Sequence, residues 1–163
     1  AVQATTRRRV GVMGTAGTIA SGAYQRAIRA LDPSVEVRAL ACPLLVPLVE
    51  EGWFEHPAAR LIADEYLAPL KREVDVLVLG CTHYPLLKPM LAEVMGPGVA
   101  LIDSAEKTAE AVEQLLASRG LARGGAGAGD YQFVVSDDEP HFRNVGARFL
   151  GDNLRKVEVV PLG

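Results

Sequence analysis

The stretch VDVLVLG, residues 74–80, is apolar from Val76 to Leu79 with no alternation of polar and apolar positions. A strand with one wet face alternates, whereas a strand covered on both faces does not. The stretch therefore predicts a central strand of a parallel sheet with helices packed on both faces. The rest of the chain supplies that alternation. RVGVM (9–13), VEVRALA (35–41) and VALID (99–103) read as further buried strands. Ile19, Ala20, Ala23, Tyr24, Ala27, Ile28 and Leu31 recur at helical spacing, with Thr18 as cap and Asp32-Pro33 as stop. Pro57 opens a helix that runs to about Lys71, and Pro89 opens another. Asp103 with Glu106 three residues on predicts a capped helix that carries Val112, Leu115 and Leu116 and ends at Gly120. Pro43 and Pro47 predict an irregular course through LLVPLVEEG. The fold class is α/β, a doubly wound parallel sheet with flanking helices.

The pattern breaks at GGAGAG (124–129), which predicts a flexible loop. Strand 131–136, helix 140–151 and strand 156–160 follow it. Residues 1–102 are expected to form one compact α/β unit. Residues 103–163 are expected to form a helix and a strand–helix–strand tail that belongs elsewhere. A chain of 163 residues suits one domain, or one domain plus a piece of another.

Charge and cysteine content narrow the function classes. A net charge of −3 gives no global reason to bind nucleic acid, and Arg7-Arg8-Arg9 reads as a solvated lead-in to the first strand. No apolar stretch has the length of a membrane span and no secretory leader is visible, so neither nucleic acid nor membrane is expected as a partner. Two cysteines do not make a disulfide framework, so a cytoplasmic protein with reduced thiols is expected. His56, His83 and His141 are scattered and show no ligand spacing with Cys42 or Cys81; no metal and no cofactor are expected. His56 and His141 stand beside prolines at helix starts and read as surface residues.

The chemistry gathers after the central strand, in Cys81-Thr82-His83. In an open α/β sheet ligands bind at the carboxyl ends of the strands. Gly80 allows close backbone approach there. A thiolate is the reactive form of cysteine, and His83 with nearby backbone N–H groups can stabilise it. Thr82 offers a hydroxyl and an N–H to an anion such as a carboxylate. A small core cysteine in this position is the plainer reading. That reading suits Cys42 better, because Cys42 precedes a proline and has no acid–base neighbour. GTAGT (14–18) follows the first strand at the same edge and offers backbone N–H groups to an anion, though a simple strand–helix turn explains it as well. Glu50-Glu51 brings a carboxylate to the cleft or stays solvated.

VDVLVLGCTHYPLLKPML closely resembles the second catalytic-cysteine motif of the glutamate racemases. RVGVMGTAGTIASGAY, ACPLLVPLVEEG and SDDEPHFRNVGARFLG are similar to further segments of that family in the same order, so the resemblance runs from about residue 9 to 151. It implies one of the family's two similar domains plus a C-terminal tail. It also implies cofactor-independent interconversion of L- and D-glutamate for peptidoglycan. In that family two cysteines flank the substrate Cα, one thiolate taking the α-proton and the other thiol returning one. By position, Cys81 is the acid–base group of the second domain. His83 assists it and meets the substrate, Thr82 binds substrate, Glu50 stands behind, and Thr15 and Thr18 are further substrate contacts. The family's Asp-Ser-Gly and Cys-Asn-Thr segments are nowhere in this chain. The expectation is therefore a second half, inactive alone, that pairs with the missing N-terminal domain or with a second copy. In the family the C-terminal tail crosses back to complete the first domain's sheet. Two other classes stay open: a cysteine hydrolase or amidotransferase with Cys81 as nucleophile and His83 as base, and a non-catalytic binding module.

Overall fold

The computed structural model describes residues 1–125, 127, 129–151, 154 and 156–162. The chain divides into two compact units, Ala1–Leu121 and Ala122–Gly163.

The first unit is built on four parallel strands: β1 (Arg9–Gly14), β2 (Glu36–Ala41), β3 (Val76–Gly80) and β4 (Ala100–Asp103), in the order β2-β1-β3-β4. β3 lies between β1 and β4, and its five residues are all buried. Alternate side chains leave the central strands on opposite faces. Met13, Leu77 and Leu79 meet Leu45, Val49, Ala63, Leu67 and Leu91 on one face. Val10, Val12, Val76 and Val78 meet Ile28, Ile19 and Tyr24 on the other. Both faces are covered, which is why β3 carries no polar–apolar alternation. The structure is the α/β parallel arrangement that the sequence predicts.

The helices depart from expectation in two places. The first helix is capped by Thr15 rather than Thr18: Thr15 Oγ1 accepts the Thr18 N–H at 3.3 Å. It then breaks at Gly22, whose φ of 63° divides it into α1 (Ala16–Ser21) and α2 (Ala23–Leu31). The segment expected to be irregular contains a helix, α3 (Leu45–Glu50). Pro47 is its third residue, where the missing N–H would have had no partner inside the helix anyway. Proline there shapes a first turn instead of breaking one.

His56 caps α4 (Pro57–Leu67) through Nδ1, which accepts the Ala58 N–H at 3.1 Å, and its ring stacks on Trp53. A 3₁₀ turn, Ala68–Leu70, takes up Pro69. α5 (Lys88–Met95) holds Pro89 in its first turn. α6 (Ser104–Ser118) has the predicted cap: Asp103 Oδ1 accepts the Glu106 N–H at 2.9 Å. Lys88 binds both Asp103, at 2.7 Å, and Glu106, at 2.6 Å, which ties the start of α5 to the end of β4. No residue of α6 is buried, and Val112, Leu115 and Leu116 are exposed.

In the second unit β5 (Phe133–Val135) pairs in parallel with β6 (Val157–Val159), and α7 (Glu139–Leu150) connects them. Asp138 caps α7 through the His141 N–H. Among the described residues only Leu154 is buried in this unit; a Cβ on Gly146 would stand 2.9 Å from its Cδ2. The predicted glycine loop lies partly outside the described residues, at positions 126 and 128. Among the described residues, no helix is long and apolar enough to cross a membrane, and no three His, Cys, Asp or Glu residues gather as a metal-binding group.

Candidate active site

The register of the sheet decides what shares its carboxyl edge. Gly14 of β1 pairs with Ala41 of β2 on one side and with Gly80 of β3 on the other. Thr15, Cys42 and Cys81 therefore leave the sheet from one row. Gly80 is sterically required. A Cβ there would stand 2.8 Å from the Met13 carbonyl oxygen and 3.0 Å from the Tyr24 ring. Only glycine lets β3 run this close to its neighbours and deliver Cys81 directly beyond them.

After Gly80 the chain folds into a tight turn. The Tyr84 N–H donates to the Cys81 carbonyl at 3.3 Å, and a 3₁₀ turn spans Tyr84–Leu87. Tyr84 is fully buried and its hydroxyl donates to the Cys42 carbonyl at 3.0 Å. Burial pushes that phenol far above its ordinary range, so it remains a donor. With Tyr84 pulled inward, Cys81 and His83 are left half-buried and Thr82 exposed.

His83 is the centre of the arrangement. Its Nε2 lies 3.2 Å from Glu50 Oε1, and its Nδ1 lies 3.4 Å from Thr82 Oγ1 and 3.9 Å from Cys81 Sγ. An ionised carboxylate only accepts hydrogen bonds, so the ring hydrogen on Nε2 belongs to the Glu50 contact. In the neutral ring Nδ1 is then the acceptor, and it faces a thiol and a hydroxyl. The result is a row of carboxylate, imidazole and thiol. Glu50 reaches this row because it closes α3, the helix that sequence reading had missed.

Cys42 is the opposite case. It is fully buried, and burial pushes its thiol up to about 12, so it stays protonated at neutral pH. Thr15 and Thr18, both half-buried, stand at the start of α1 with hydroxyl oxygens 3.0 Å apart. Glu51, the neighbour of Glu50, is exposed. Of the residues singled out from sequence, Cys81, Thr82, His83 and Glu50 are thus joined by direct contacts. Thr15 and Thr18 form a separate pair on the same sheet edge. Tyr84 was missed; a buried aromatic hydroxyl always needs a partner, and that need was its only signal.

A row of this kind can move a proton to or from a bound carbon acid, or can activate a thiol for attack. The model of one protein family, described as Asp/Glu/Hydantoin racemase, matches residues 1–112. The chain belongs to that family. A glutamate racemase of Syntrophus aciditrophicus is 50% identical over 163 residues, covering 99% of this chain and 60% of the relative. A solved glutamate racemase of Bacillus anthracis superposes with a TM-score of 0.86 at 32% identity, covering 100% of this chain and 60% of that one. A second, from Francisella tularensis and solved in complex with D-glutamate, gives 0.86 at 33% identity, covering 97% and 59%. This member of the Asp/Glu/Hydantoin racemase family thus spans about 60% of the length of the curated relatives it matches.

Proposed function

We propose that this chain supplies one half of the active site of a glutamate racemase, with Cys81 as the acid–base group on one face of the substrate. The carboxylate–imidazole–thiol row at the carboxyl edge of β3 carries this reading, and the solved relative in complex with D-glutamate supports an acidic amino acid as the substrate.

Racemisation breaks the Cα–H bond and remakes it on the opposite face. The Cys81 thiolate takes the α-proton, and the carbanion then receives a proton from a thiol on the far side. In the reverse direction Cys81 donates. His83 holds or returns the Cys81 proton, and Glu50 fixes the imidazole so that Nδ1 faces sulfur. Thr82, with Thr15 and Thr18, binds the carboxylates of the substrate. The α-proton of glutamate is weakly acidic, so two positioned proton-transfer groups and fixed dipoles must carry the rate, and no cofactor enters this scheme. Cys42 is unsuited to the second role, because it is fully buried and held protonated. The second thiol therefore comes from outside this chain, from an N-terminal domain or a second copy, and the chain alone does not invert glutamate at a useful rate.

Residues 103–163 fit a tail that completes the sheet of that other domain. The exposed apolar side chains of α6 and of β5 and β6 support this. The protein works in the cytoplasm and supplies D-glutamate for peptidoglycan. The test is racemisation of L-glutamate by the protein that contains this chain together with its partner domain, with and without Cys81→Ser. Loss of racemisation in the variant supports the reading. Undiminished racemisation, or a trapped Cys81 thioester, would contradict it, the thioester in favour of a hydrolase.

A further inference from the structure

Two consecutive residues of the Cys81 turn grip the two ends of one short helix. His83 meets Glu50 at the end of α3, and Tyr84 meets the Cys42 carbonyl three residues before its start. The Cys42 carbonyl also receives the Leu45 N–H at 3.3 Å, and the Cys42 N–H donates to the Gly14 carbonyl at 2.8 Å. The Tyr84 hydroxyl therefore shares one carbonyl with the first residue of α3, on a residue whose N–H is tied to the end of β1.

From this geometry we propose that Tyr84 is a positioning residue for the catalytic row: its hydroxyl sets where α3 lies against the Cys81 turn, and so whether Glu50 reaches His83. The inference rests on the role proposed above for Cys81, but it concerns how the row is assembled. A six-residue helix is about 9 Å long, so a small tilt at one end moves Glu50 at the other. The Glu50–His83 contact is 3.2 Å long, and a small displacement of Glu50 parts the two groups. The Tyr84 hydroxyl donates to the Cys42 carbonyl, and through that bond it acts on α3.

The decisive experiment is a double-mutant cycle on Cys81 alkylation by iodoacetamide, located by mass spectrometry on the 163-residue chain. Alkylation follows the thiolate, so it reads the row without requiring turnover. Buried Cys42 serves as the internal folding control. Tyr84→Phe removes one oxygen and leaves the ring in place, and the Leu45 N–H still serves the Cys42 carbonyl. Tyr84→Phe and Glu50→Gln should each slow Cys81 alkylation about 3- to 10-fold, the worth of one hydrogen bond. The double variant should be no slower than Glu50→Gln alone, because both act through one contact. Val94→Ala, a buried truncation in α5, is the control for general loosening and should multiply with Glu50→Gln. If Tyr84→Phe alkylates at the wild-type rate, or if its effect multiplies with that of Glu50→Gln as Val94→Ala does, the positioning role is wrong. A chain that shows the coupling while its complete protein fails to racemise glutamate would overturn the proposed function and leave this inference standing.

Discussion

His83 Nε2 lies 3.2 Å from Glu50 Oε1, and the two residues come from different elements, the turn after β3 and the last position of α3. In the neutral ring this contact favours the hydrogen on Nε2 and leaves Nδ1 as the acceptor facing Cys81. Glu50→Gln keeps the shape but replaces a charged acceptor with a neutral amide that can turn its NH₂ toward the ring. In the complete protein, on the proposed racemase reading, kcat should fall about 10- to 100-fold, the order of one charge-assisted contact. The KM for glutamate should change much less. A fall confined to KM would place Glu50 on the substrate instead.

Gly80→Ala tests the close approach at the end of β3. The new methyl group meets the Met13 carbonyl oxygen at 2.8 Å, and a backbone atom cannot rotate away. Loss of about 1–3 kcal/mol is expected from overpacking. It should appear as a lower urea midpoint together with slower Cys81 alkylation. Gly17→Ala in α1 meets nothing within 4 Å and should leave both unchanged or raise the midpoint slightly.

Asp75 anchors the opposite end of the sheet. Its carboxylate accepts the Thr5 hydroxyl and the Thr6 and Arg7 N–H groups, each at 2.7 Å, and the Thr6 hydroxyl at 3.1 Å. Burial alone would raise its pKa, but these four bonds outweigh burial and hold it well below the usual carboxylate range. A folded-state pKa below the unfolded value stabilises the fold above the unfolded pKa, about 3.9. That stabilisation is lost as the pH falls from there toward the folded value. Urea midpoints of the wild type should therefore drop more between pH 6 and pH 3 than those of Asp75→Asn. Parallel pH curves for the two proteins would contradict the assignment.

The second unit should exchange its backbone hydrogens sooner than the first. Among its described residues only Leu154 is buried, whereas β1 and β3 are buried along almost their whole length. Few buried contacts mean a low local opening free energy. Amide exchange followed by mass spectrometry should show faster uptake in residues 130–160 than in residues 9–14 and 76–80. Addition of the partner domain should slow it. Equal, slow uptake in both segments of the isolated chain would count against the proposed tail.

What could be read from sequence divides along physical lines. The apolar run of β3 declared a covered strand, and Asp103 with Glu106 declared a helix start, because both signals are local and have a single structural meaning. The α3 helix was hidden because proline is read first as a breaker, and its tolerance in a first turn depends on where the helix begins. The cap at Thr15 was misplaced by one turn for a similar reason: two threonines stand three residues apart, and only the real helix start chooses between them. Cys81 and His83 were visible as neighbours in the chain. The Glu50–His83 contact was not, since the two residues stand 33 positions apart in the chain and the contact depends on the helix that was missed. Tyr84 looked like any core aromatic, and its hydroxyl partner is a main-chain carbonyl, which no side-chain pattern reveals.

The central claim is that Cys81 is one of two proton-transfer groups and that this chain holds only that one. The purified chain should be incubated with L-glutamate in heavy water while optical rotation and the Cα proton signal are followed together. The account predicts slow loss of the Cα proton signal with optical rotation retained; in Cys81→Ala the proton signal should persist and the rotation should again stay constant. A single thiol returns deuterium to the face from which it took the proton. Removal of one of two acid–base groups costs about 10²–10⁴ in rate, so inversion should be undetectable on the timescale of that exchange. Rapid loss of optical rotation by the isolated chain, abolished by Cys81→Ala, would contradict the account.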